Sequence, residues 1–327
     1  MLPLALRRHH IALFHAPAEG GLPAWKSCPY VLTYHRALDK SVERWIARGE
    51  LPGRVADYGL EPGGLRDRYH RWRYALLRSI YLRAADKIIA VSHYGERELA
   101  ELLGVAREKV AVIYEAADDR FSPDIPEPRV REAKIRYGLP ERYLLFVGSF
   151  DRWKNVDGLL RAYAEARKLG VREGLVLVGS GGDLSGAKGL ARSLELREGH
   201  EVVFLERIDE DLPLLYRGAT TFITLSWGES FGLPLVEAMR CGTPVIASSR
   251  GAIPEVVAGG GVLVDPRDPV EVIHTIVAVT NGREFQEQLR QQSLKRAKSF
   301  SWPETAEKTV QVYRSLLEGS SRARRAP

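Results

Sequence analysis

Residues 220–248 read TTFITLSWGESFGLPLVEAMRCGTPVIAS, and this stretch predicts a strand, a turn, a helix and a second strand. The run TTFITLSW is rich in β-branched and aromatic residues, as strands are. GESFG then supplies the glycines of a turn, and Pro234 suits the first turn of a helix. PVIAS is the second strand. A strand–helix–strand unit of this kind is the building block of a parallel sheet covered by helices.

The same alternation runs along the rest of the chain. From residue 143 onward, strand-like runs recur between amphipathic segments: YLLFVGS, LVLVGS, EVVFLE, TTFITLS, PVIAS and GVLVD. Before residue 120 the runs are IALFHAP, YVLTYH, KIIAVS and KVAVIYEA. Strands that alternate with helices predict an α/β fold with doubly wound parallel sheets. Ligands of such sheets bind where the carboxyl ends of the strands open into loops.

The chain has 327 residues, which is enough for about two domains. We predict a small first domain over 1–118 and a linker rich in Pro and Asp over 119–140. A second domain should follow over 141–300, and a final helix with a basic tail over 301–327.

The composition narrows the class of protein. Apolar residues make up 45% of the chain, and charged residues 28%, as in ordinary globular proteins. Cys28 and Cys241 are the only cysteines, so neither a disulfide framework nor a cysteine metal site is expected. The apolar runs fall short of the ~18 residues of a membrane span, and the start MLPLALRRHH has its apolar and charged parts in the wrong order for a signal peptide. These features predict a cytosolic protein.

Charge points to anionic partners. The net charge is +6, and six arginines but one aspartate lie in RDRYHRWRYALLRSIYLR, residues 66–83. Tyr69, Trp72, Leu76 and Ile80 recur there at helical spacing, which predicts a basic amphipathic helix. The pattern leaves three interpretations open: a packed helix with a solvated arginine face, contact with an anionic membrane surface, or binding of an acidic acceptor. No nucleic-acid-binding motif accompanies the helix, so nucleic acid is not an expected partner.

The turn between strand and helix in 228–248 predicts an anion site. Backbone amides near Phe231, Gly232 and Leu233 should point outward at the positive end of the helix dipole, where phosphate binds well. Glu229 and Glu237 flank this turn. A nucleotide sugar has a sugar on one side of its diphosphate and a ribose on the other. Each glutamate could accept hydrogen bonds from the hydroxyls on one of these two sides. The alternative is that Glu229 caps the helix and Glu237 is a solvated surface residue.

Several motifs resemble one enzyme family. ESFGLPLVE, followed by AMRCGTPVIASSRGAIPEVV, resembles the E-x7-E signature of family-4 retaining glycosyltransferases (glycosyl transferases group 1). YLLFVGSFDRWKN looks like the strand and basic loop that open their C-terminal domain, and FSWPETAEKTVQVYRSLL is similar to the final helix that crosses back to their first domain. The resemblance implies the GT-B fold, in which two Rossmann-like doubly wound domains face a cleft. The first domain would be truncated here.

The resemblance also implies roles for single residues. Glu229 would bind hydroxyls of the transferred sugar, Glu237 would hold the ribose, and Lys154 would neutralise the diphosphate. Ser230, Phe231, Gly232 and Leu233 would lie along the diphosphate and the sugar. Arg152 is either a second phosphate-binding cation or a solvated loop charge. His35 matches a first-domain histidine that faces the donor sugar, although Arg36 stands where relatives usually have Asp.

The implied activity is transfer of a sugar, with retention at the anomeric carbon, from a nucleoside-diphosphate sugar to a hydroxyl of a saccharide, glycolipid or other acceptor. Synthesis of cell-surface polysaccharide or glycolipid is the expected setting. The resemblance implies no cofactor and no metal. Residues 209–211, DED, fit a D-x-D metal pattern, but acids at the start of a helix also stabilise its dipole. The alternatives are a non-catalytic or partner-dependent nucleotide-sugar-binding subunit, and a sugar-nucleotide epimerase or phosphorylase.

The chain start matches a point well inside the first domain of the family. About two βαβ units of ~30 residues each are absent before it. We therefore expect a longer start, a partner chain that completes the sheet, or a reduced domain whose sheet must be covered. Residues 1–118 should not fold alone and should promote self-association, whereas residues 140–300 should form a stable domain.

Overall fold

A computed structural model describes residues 2–18, 21–23, 25–35, 38–49, 51–54, 58 and 65–325. Each of the ten strand-like runs in the sequence forms a strand there. The strands are β1 (Phe14–Ala16), β2 (Tyr30–Tyr34), β3 (Lys87–Ala90), β4 (Val110–Val112), β5 (Tyr143–Val147), β6 (Gly174–Val178), β7 (Val202–Leu205), β8 (Thr221–Thr224), β9 (Val245–Ser248) and β10 (Val262–Val264).

Helices follow most of these strands and cover the sheets. They are α1 (Leu2–Arg8), α2 (Leu38–Ala47), α3 (Leu65–Ala84), α4 (His93–Leu103), α5 (Glu127–Arg136), α6 (Val156–Lys168), α7 (Leu184–Ser193), α8 (Leu212–Gly218), α9 (Leu233–Arg240), α10 (Ile253–Val257), α11 (Pro269–Asn281), α12 (Arg283–Ala297) and α13 (Trp302–Arg325). Among the described residues, no helix is long and apolar enough to cross a bilayer.

The chain divides into two compact units. The first unit comprises Met1–Glu115 together with Trp302–Pro327, and the second comprises Ala116–Ser301. The final helix therefore belongs with the amino-terminal strands. The stretch predicted as a linker, 119–140, is not all extended, because it contains α5, which packs against α8 of the second unit.

The first unit has a four-stranded parallel sheet in the order β1-β2-β3-β4. On one face, Leu32, Ile88 and other buried strand residues pack against Leu82 and Leu99 from α3 and α4. On the other face, strand residues Val31 and Ile89 cluster with apolar residues of α13, namely Val312, Tyr313 and Leu316. Both faces are covered, and α13, which lies outside 1–118, covers one of them.

A partly buried polar contact joins α13 to this sheet. His15 on β1 lies 2.6 Å (Nδ1) from the hydroxyl of Tyr313, and its Nε2 lies 2.8 Å from the hydroxyl of Thr33 on β2. Burial lowers the pKa of His15, which favours the neutral ring in this contact.

The second unit has a six-stranded parallel sheet in the order β10-β9-β8-β5-β6-β7. Its central strands are buried on both faces, as near-continuous apolar runs such as YLLFV and GLVLV require. The order reverses between β5 and β8, which are neighbours in the sheet although three helices separate them in the chain. Loops that leave neighbouring strands on either side of such a reversal form the crevice where ligands of doubly wound sheets bind.

Candidate functional site

Two loops meet at the reversal of strand order in the second unit. After β5 the chain forms a short 3₁₀ turn, Arg152–Lys154, before α6 begins. After β8 it runs through the glycine turn to α9. The amide of Trp227 donates a hydrogen bond of 2.9 Å to the carbonyl of Trp153, so the two loops are tied by their backbones. The topology thus places the predicted lysine beside Glu229.

Lys154 and Glu229 form an ion pair at this point. The distance from Nζ to Oε1 is 2.7 Å, and each side chain is only 12% exposed. The hydroxyl of Ser226 donates to the same Oε1 atom at 2.9 Å and lies 3.1 Å from the hydroxyl of Thr224. Nζ also lies 4.1 Å from the ring centroid of Trp153. Both donors bind one carboxylate oxygen, which leaves Oε2 of Glu229 to accept hydrogen bonds from a ligand.

The turn before α9 has the backbone that the anion-site prediction requires. Gly232 adopts a φ of 96°, in the left-handed region that favours glycine, and its carbonyl accepts from the amide of Leu235. Pro234 lies in the first helical turn, as predicted. The first amides of a helix have no intrahelical acceptor and are directed out of its end. Of the turn residues predicted to lie along a donor, Ser230, Gly232 and Leu233 are half-buried.

Phe231 contributes differently from its neighbours in the turn. Its side chain is 1% exposed and packs edge-to-face on Phe300, with ring centroids 5.6 Å apart. The ring therefore anchors the turn in the core, and what Phe231 can offer a ligand is its backbone.

Gly251 supports Glu229 from the loop after β9. Its φ is +64°, and a Cβ atom there would lie 2.6 Å from the amide nitrogen and 2.8 Å from the carbonyl oxygen of Glu229. The next amide, of Ala252, donates to that carbonyl at 2.9 Å. Only glycine fits this close approach, so Gly251 fixes the backbone position of the glutamate.

Glu237, in α9, has a different set of partners from Glu229. Its Oε2 atom accepts a hydrogen bond of 2.9 Å from the hydroxyl of Tyr216 in α8. Burial raises the pKa of the carboxyl, while the hydrogen bond from Tyr216 and the positive charge of Arg120 oppose the rise. The alternative in which Glu237 is a solvated surface residue is wrong, because the side chain is partly buried and hydrogen-bonded.

Arg152 lies in the same 3₁₀ turn as Lys154, but its side chain is exposed. It forms no side-chain hydrogen bond or ion pair with any residue that the structure describes. The structure thus brings together Lys154, Glu229 and the glycine turn, and leaves Arg152 at the surface of the turn.

His35 lies in the first unit, directly after β2. Its Nε2 donates to the carbonyl of Pro17 at 3.0 Å, and its Nδ1 lies 3.7 Å from Oε1 of Glu115. Burial raises the pKa of Glu115, against the effect of the nearby imidazole. The carbonyl of Pro17 and the carboxyl group of Glu115 thus lie on the two sides of the His35 ring. Arg36, the residue that departs from the family pattern, lies outside the described residues.

The acidic run DED is engaged in structural contacts. Asp211 accepts from Arg136 at 2.7 Å and from the hydroxyl of Tyr137 at 2.9 Å, and Asp209 accepts from Arg207 at 2.9 Å. In the part of the chain that the structure describes, no group of three His, Cys, Asp or Glu side chains could hold a metal ion.

Sequence reasoning missed three residues of this site. Ser226 could have been found from the sequence, because its hydroxyl follows a predicted strand, and ligands bind at the carboxyl ends of such strands. Gly251 stands before the apolar helix start AIPEVV, where a glycine often marks a close backbone approach. Tyr216 had no signal, since it lies 21 residues from Glu237 within an ordinary apolar helix.

The sequence matches known family profiles over both units. The profile "Glycosyl transferases group 1" matches residues 131–296, and the profile "Glycosyltransferase Family 4" matches residues 1–121. The chain belongs to the family of group 1 glycosyl transferases. The resemblance found in the sequence is therefore confirmed at the level of the family.

Individual family members agree with this assignment. O-antigen chain mannosyltransferase B of Escherichia coli is 31% identical over 243 residues, which cover 72% of this chain and 62% of that protein. D-inositol 3-phosphate glycosyltransferase 1 of Catenulispora acidiphila is 33% identical over 258 residues, covering 74% of this chain and 60% of that protein. The chain thus spans less than two thirds of the length of these relatives.

A solved structure shows the fold. Sucrose-phosphate synthase from Thermosynechococcus elongatus superposes with a TM-score of 0.75 at 25% identity, covering 97% of this chain and 77% of that one. It is a GT-B glycosyltransferase, and the predicted GT-B fold class is confirmed.

Proposed function

We propose that this protein is a retaining glycosyltransferase that moves a sugar from a nucleoside-diphosphate sugar to an acceptor hydroxyl. The observation that carries the proposal is the Lys154–Glu229 pair beside the glycine turn of α9. A cation, outward-facing helix amides and a sugar-binding carboxylate meet there at the reversal of strand order. The family membership and the names of the relatives support the same reaction class.

The donor would bind with its diphosphate between Lys154 and the amides at the start of α9. Lys154 has three N–H donors, one of which Glu229 uses, so the ammonium group can hold the diphosphate while it keeps its contact with the carboxylate. The largely buried pair lies in a region of reduced dielectric, where fixed charges stabilise a developing negative charge more strongly than in water.

Glu229 and Glu237 would divide the two sugars of the donor between them. Oε1 of Glu229 is held by Lys154 and Ser226, so Oε2 would accept hydroxyls of the transferred sugar. Oε2 of Glu237 is held by Tyr216, so Oε1 would accept the ribose hydroxyls. In both cases protein donors fix one oxygen and leave the other for the ligand, which preorganises the carboxylate.

In the reaction, the bond between the anomeric carbon and the diphosphate oxygen breaks, and the oxygen keeps the electron pair. The acceptor oxygen forms its bond to the same face of that carbon, so the configuration is retained. The acceptor proton passes to an oxygen of the leaving diphosphate. Lys154 and the helix amides would stabilise the charge on that group, and this electrostatic role is why no metal or cofactor is proposed.

The remaining predicted residues keep secondary roles. His35 would face the donor sugar, held by Pro17 and Glu115, and Arg152 would reach a donor phosphate from its exposed position. The similarity to O-antigen chain mannosyltransferase B favours a hexose donor and a saccharide or glycolipid acceptor for a cell-surface polymer. Two free buried thiols, Cys28 and Cys241, fit a reducing compartment such as the cytoplasm.

A thermal-shift screen of the full chain against UDP-, GDP- and ADP-sugars tests this function. A ligand of the native state adds RT ln(1 + [L]/Kd), about 2.7 kcal/mol at 100 times Kd. We expect one donor to raise the melting temperature of the protein. In a separate assay the protein should release nucleoside diphosphate from that donor, and NMR should show that the product retains the configuration at the anomeric carbon. No shift with any donor would overturn the proposal. Binding without cleavage or transfer would identify the protein as a nucleotide-sugar-binding subunit instead.

A further inference from the structure

Helix α3 of the first unit presents an apolar stripe to solvent. Tyr69, Trp72, Leu76 and Ile80 follow one another at helical spacing, so they share one face. Their exposed fractions are 57%, 61%, 44% and 41%. Large apolar side chains scattered singly over a surface are ordinary, but four on one helix face form a contiguous patch.

The opposite side of the helix is the one that packs. Leu82 is 6% exposed, and Arg78 is 4% exposed, with its guanidinium 5.5 Å from the ring centroid of Tyr74. The helix is packed and Arg73 is exposed, as the interpretation of a packed helix with solvated arginines expected, but the packed side is not the one that carries the stripe. The stripe faces water, and an arginine lies on the buried side.

Positive charge borders the stripe. Arg73 and Arg83 are exposed and lie on the same face of the helix as Trp72 and Leu76 by their spacing. The helix sequence from residue 68 to residue 84 contains no acidic residue. The patch is thus apolar at its centre and cationic at its margin.

A cavity of about 490 Å³ lies beside the stripe at the carboxyl end of α3. It lies between the ends of α3 and α4, with the apolar side chains Leu82, Leu103 and Val105 in its lining, and Arg83 and Lys109 beside them. Nζ of Lys109 donates to the carbonyls of Leu82 and Arg83, at 2.7 and 3.0 Å. The same combination of apolar wall and basic border therefore extends beyond the helix itself.

We propose that this face, the α3 stripe with its basic border, docks on the surface of an anionic lipid bilayer. Trp and Tyr are enriched at the membrane–water interface because their rings are amphipathic. Arginines beside them are attracted to anionic headgroups, and helices with this arrangement lie in the interface plane. Beyond Asp67 in its first turn the helix carries no carboxylate, and this excess of positive charge suits a uniformly anionic surface better than a protein partner, whose surface carries both signs of charge.

Vesicle co-sedimentation of the full chain tests the proposal. We expect binding to vesicles that contain phosphatidylglycerol, much weaker binding to pure phosphatidylcholine, and a decline with added salt. A Trp72→Ala/Leu76→Ala variant should lose at least about tenfold in partition, because it removes two of the four apolar anchors. The matched control is Trp25→Ala, which removes a tryptophan that is 69% exposed outside α3 and should bind as the parent does.

Variants that lack one arginine measure the electrostatic contribution to vesicle binding. Arg73→Ala should weaken binding to anionic vesicles about fivefold, and Arg161→Ala, an exposed arginine of α6, should not. Equal partition of the parent and the Trp72→Ala/Leu76→Ala variant would overturn the proposal. So would a dimer in light scattering that the same variant converts to monomer, because the face would then be an interface between copies. The readout is binding rather than turnover, so this result is independent of the proposed transferase activity.

Discussion

Nζ of Lys154 lies 2.7 Å from Oε1 of Glu229, although the two residues are 75 positions apart in the chain. Neighbouring strands β5 and β8 bring them together, and both side chains are largely shielded from water. The cation proposed for the leaving group and the carboxylate proposed for the sugar thus neutralise each other before a donor binds. Donor binding must recruit the free hydrogens of the ammonium group, so the two residues are coupled.

Substitution of the two glutamates should separate their roles. A charge-assisted hydrogen bond contributes about 1.5–3 kcal/mol, so Glu237→Gln should weaken binding of free nucleoside diphosphate roughly ten- to a hundredfold. Glu229→Gln should leave that affinity unchanged or increase it, because it releases Lys154 from its ion pair. Calorimetric titration measures both. Equal losses in the two variants would contradict the division of labour.

Nucleotide affinity should depend on pH through Glu237. Burial raises the pKa of this carboxyl, so it takes up a proton at a higher pH than an ordinary glutamate. If the carboxylate form binds the ribose, affinity is full above that pKa and is lost as the pH falls through it. Titrations from about pH 8 to about pH 5 should show this loss in the parent. The nucleotide itself changes ionisation over this pH range, but this affects both proteins equally. The affinity of the parent is therefore divided by that of Glu237→Gln at each pH. A ratio that does not change with pH would refute the prediction.

Gly251→Ala should disturb Glu229 through its backbone. The new Cβ would lie 2.6 Å from the amide nitrogen of Glu229, and φ at this position is +64°. We expect a loss of about 1–3 kcal/mol in folding free energy together with a large loss of donor turnover. Gly259→Ala is the matched control, because Gly259 has φ +83° but open space around a Cβ. Equal turnover in the two alanine variants would show that Gly251 does not position the glutamate.

Removal of α13 should destabilise the first unit selectively. A chain that ends at Ser301 loses Val312, Tyr313 and Leu316, which cover Val31 and Ile89 on one face of the sheet. We expect that chain to self-associate while its second unit still binds nucleotide, and a chain that ends at Gly319 to behave as the parent does. Light scattering and nucleotide titration measure the two effects. If the chain that ends at Ser301 is monomeric and its first unit unfolds at the same temperature as in the parent, the packing role of α13 is contradicted.

The sequence predicted every strand of the two sheets and the turn at Gly232, because these depend on local pattern. Parallel strands buried on both faces read as apolar runs, and a glycine before a proline-started helix is a local backbone signal. The carboxyl-end rule then located Glu229 at a strand end, whereas Lys154 was assigned from the family resemblance. Local pattern and the topology of doubly wound sheets are sufficient for that much of the site.

What the sequence could not predict depends on three-dimensional neighbours. The pairing of Tyr216 with Glu237 joins two helices, and the contact of Gly251 with Glu229 joins two loops. Periodicity showed that α3 has two faces, but not which face is buried. An apolar stripe normally packs inward, and here an arginine lies on the packed side instead.

Donor cleavage by the Lys154→Ala variant tests the central claim most directly. The measurement is release of nucleoside diphosphate from the donor that the thermal-shift screen selects, with Lys168→Ala, an exposed lysine paired with Glu165, as the control. Loss of the largely buried pair should lower the free energy of unfolding by about 1–3 kcal/mol, so the assay is run well below the melting temperature. We predict that the parent and the control release nucleoside diphosphate, and that Lys154→Ala is slower by roughly 10²–10³-fold. Full activity of Lys154→Ala would contradict the account.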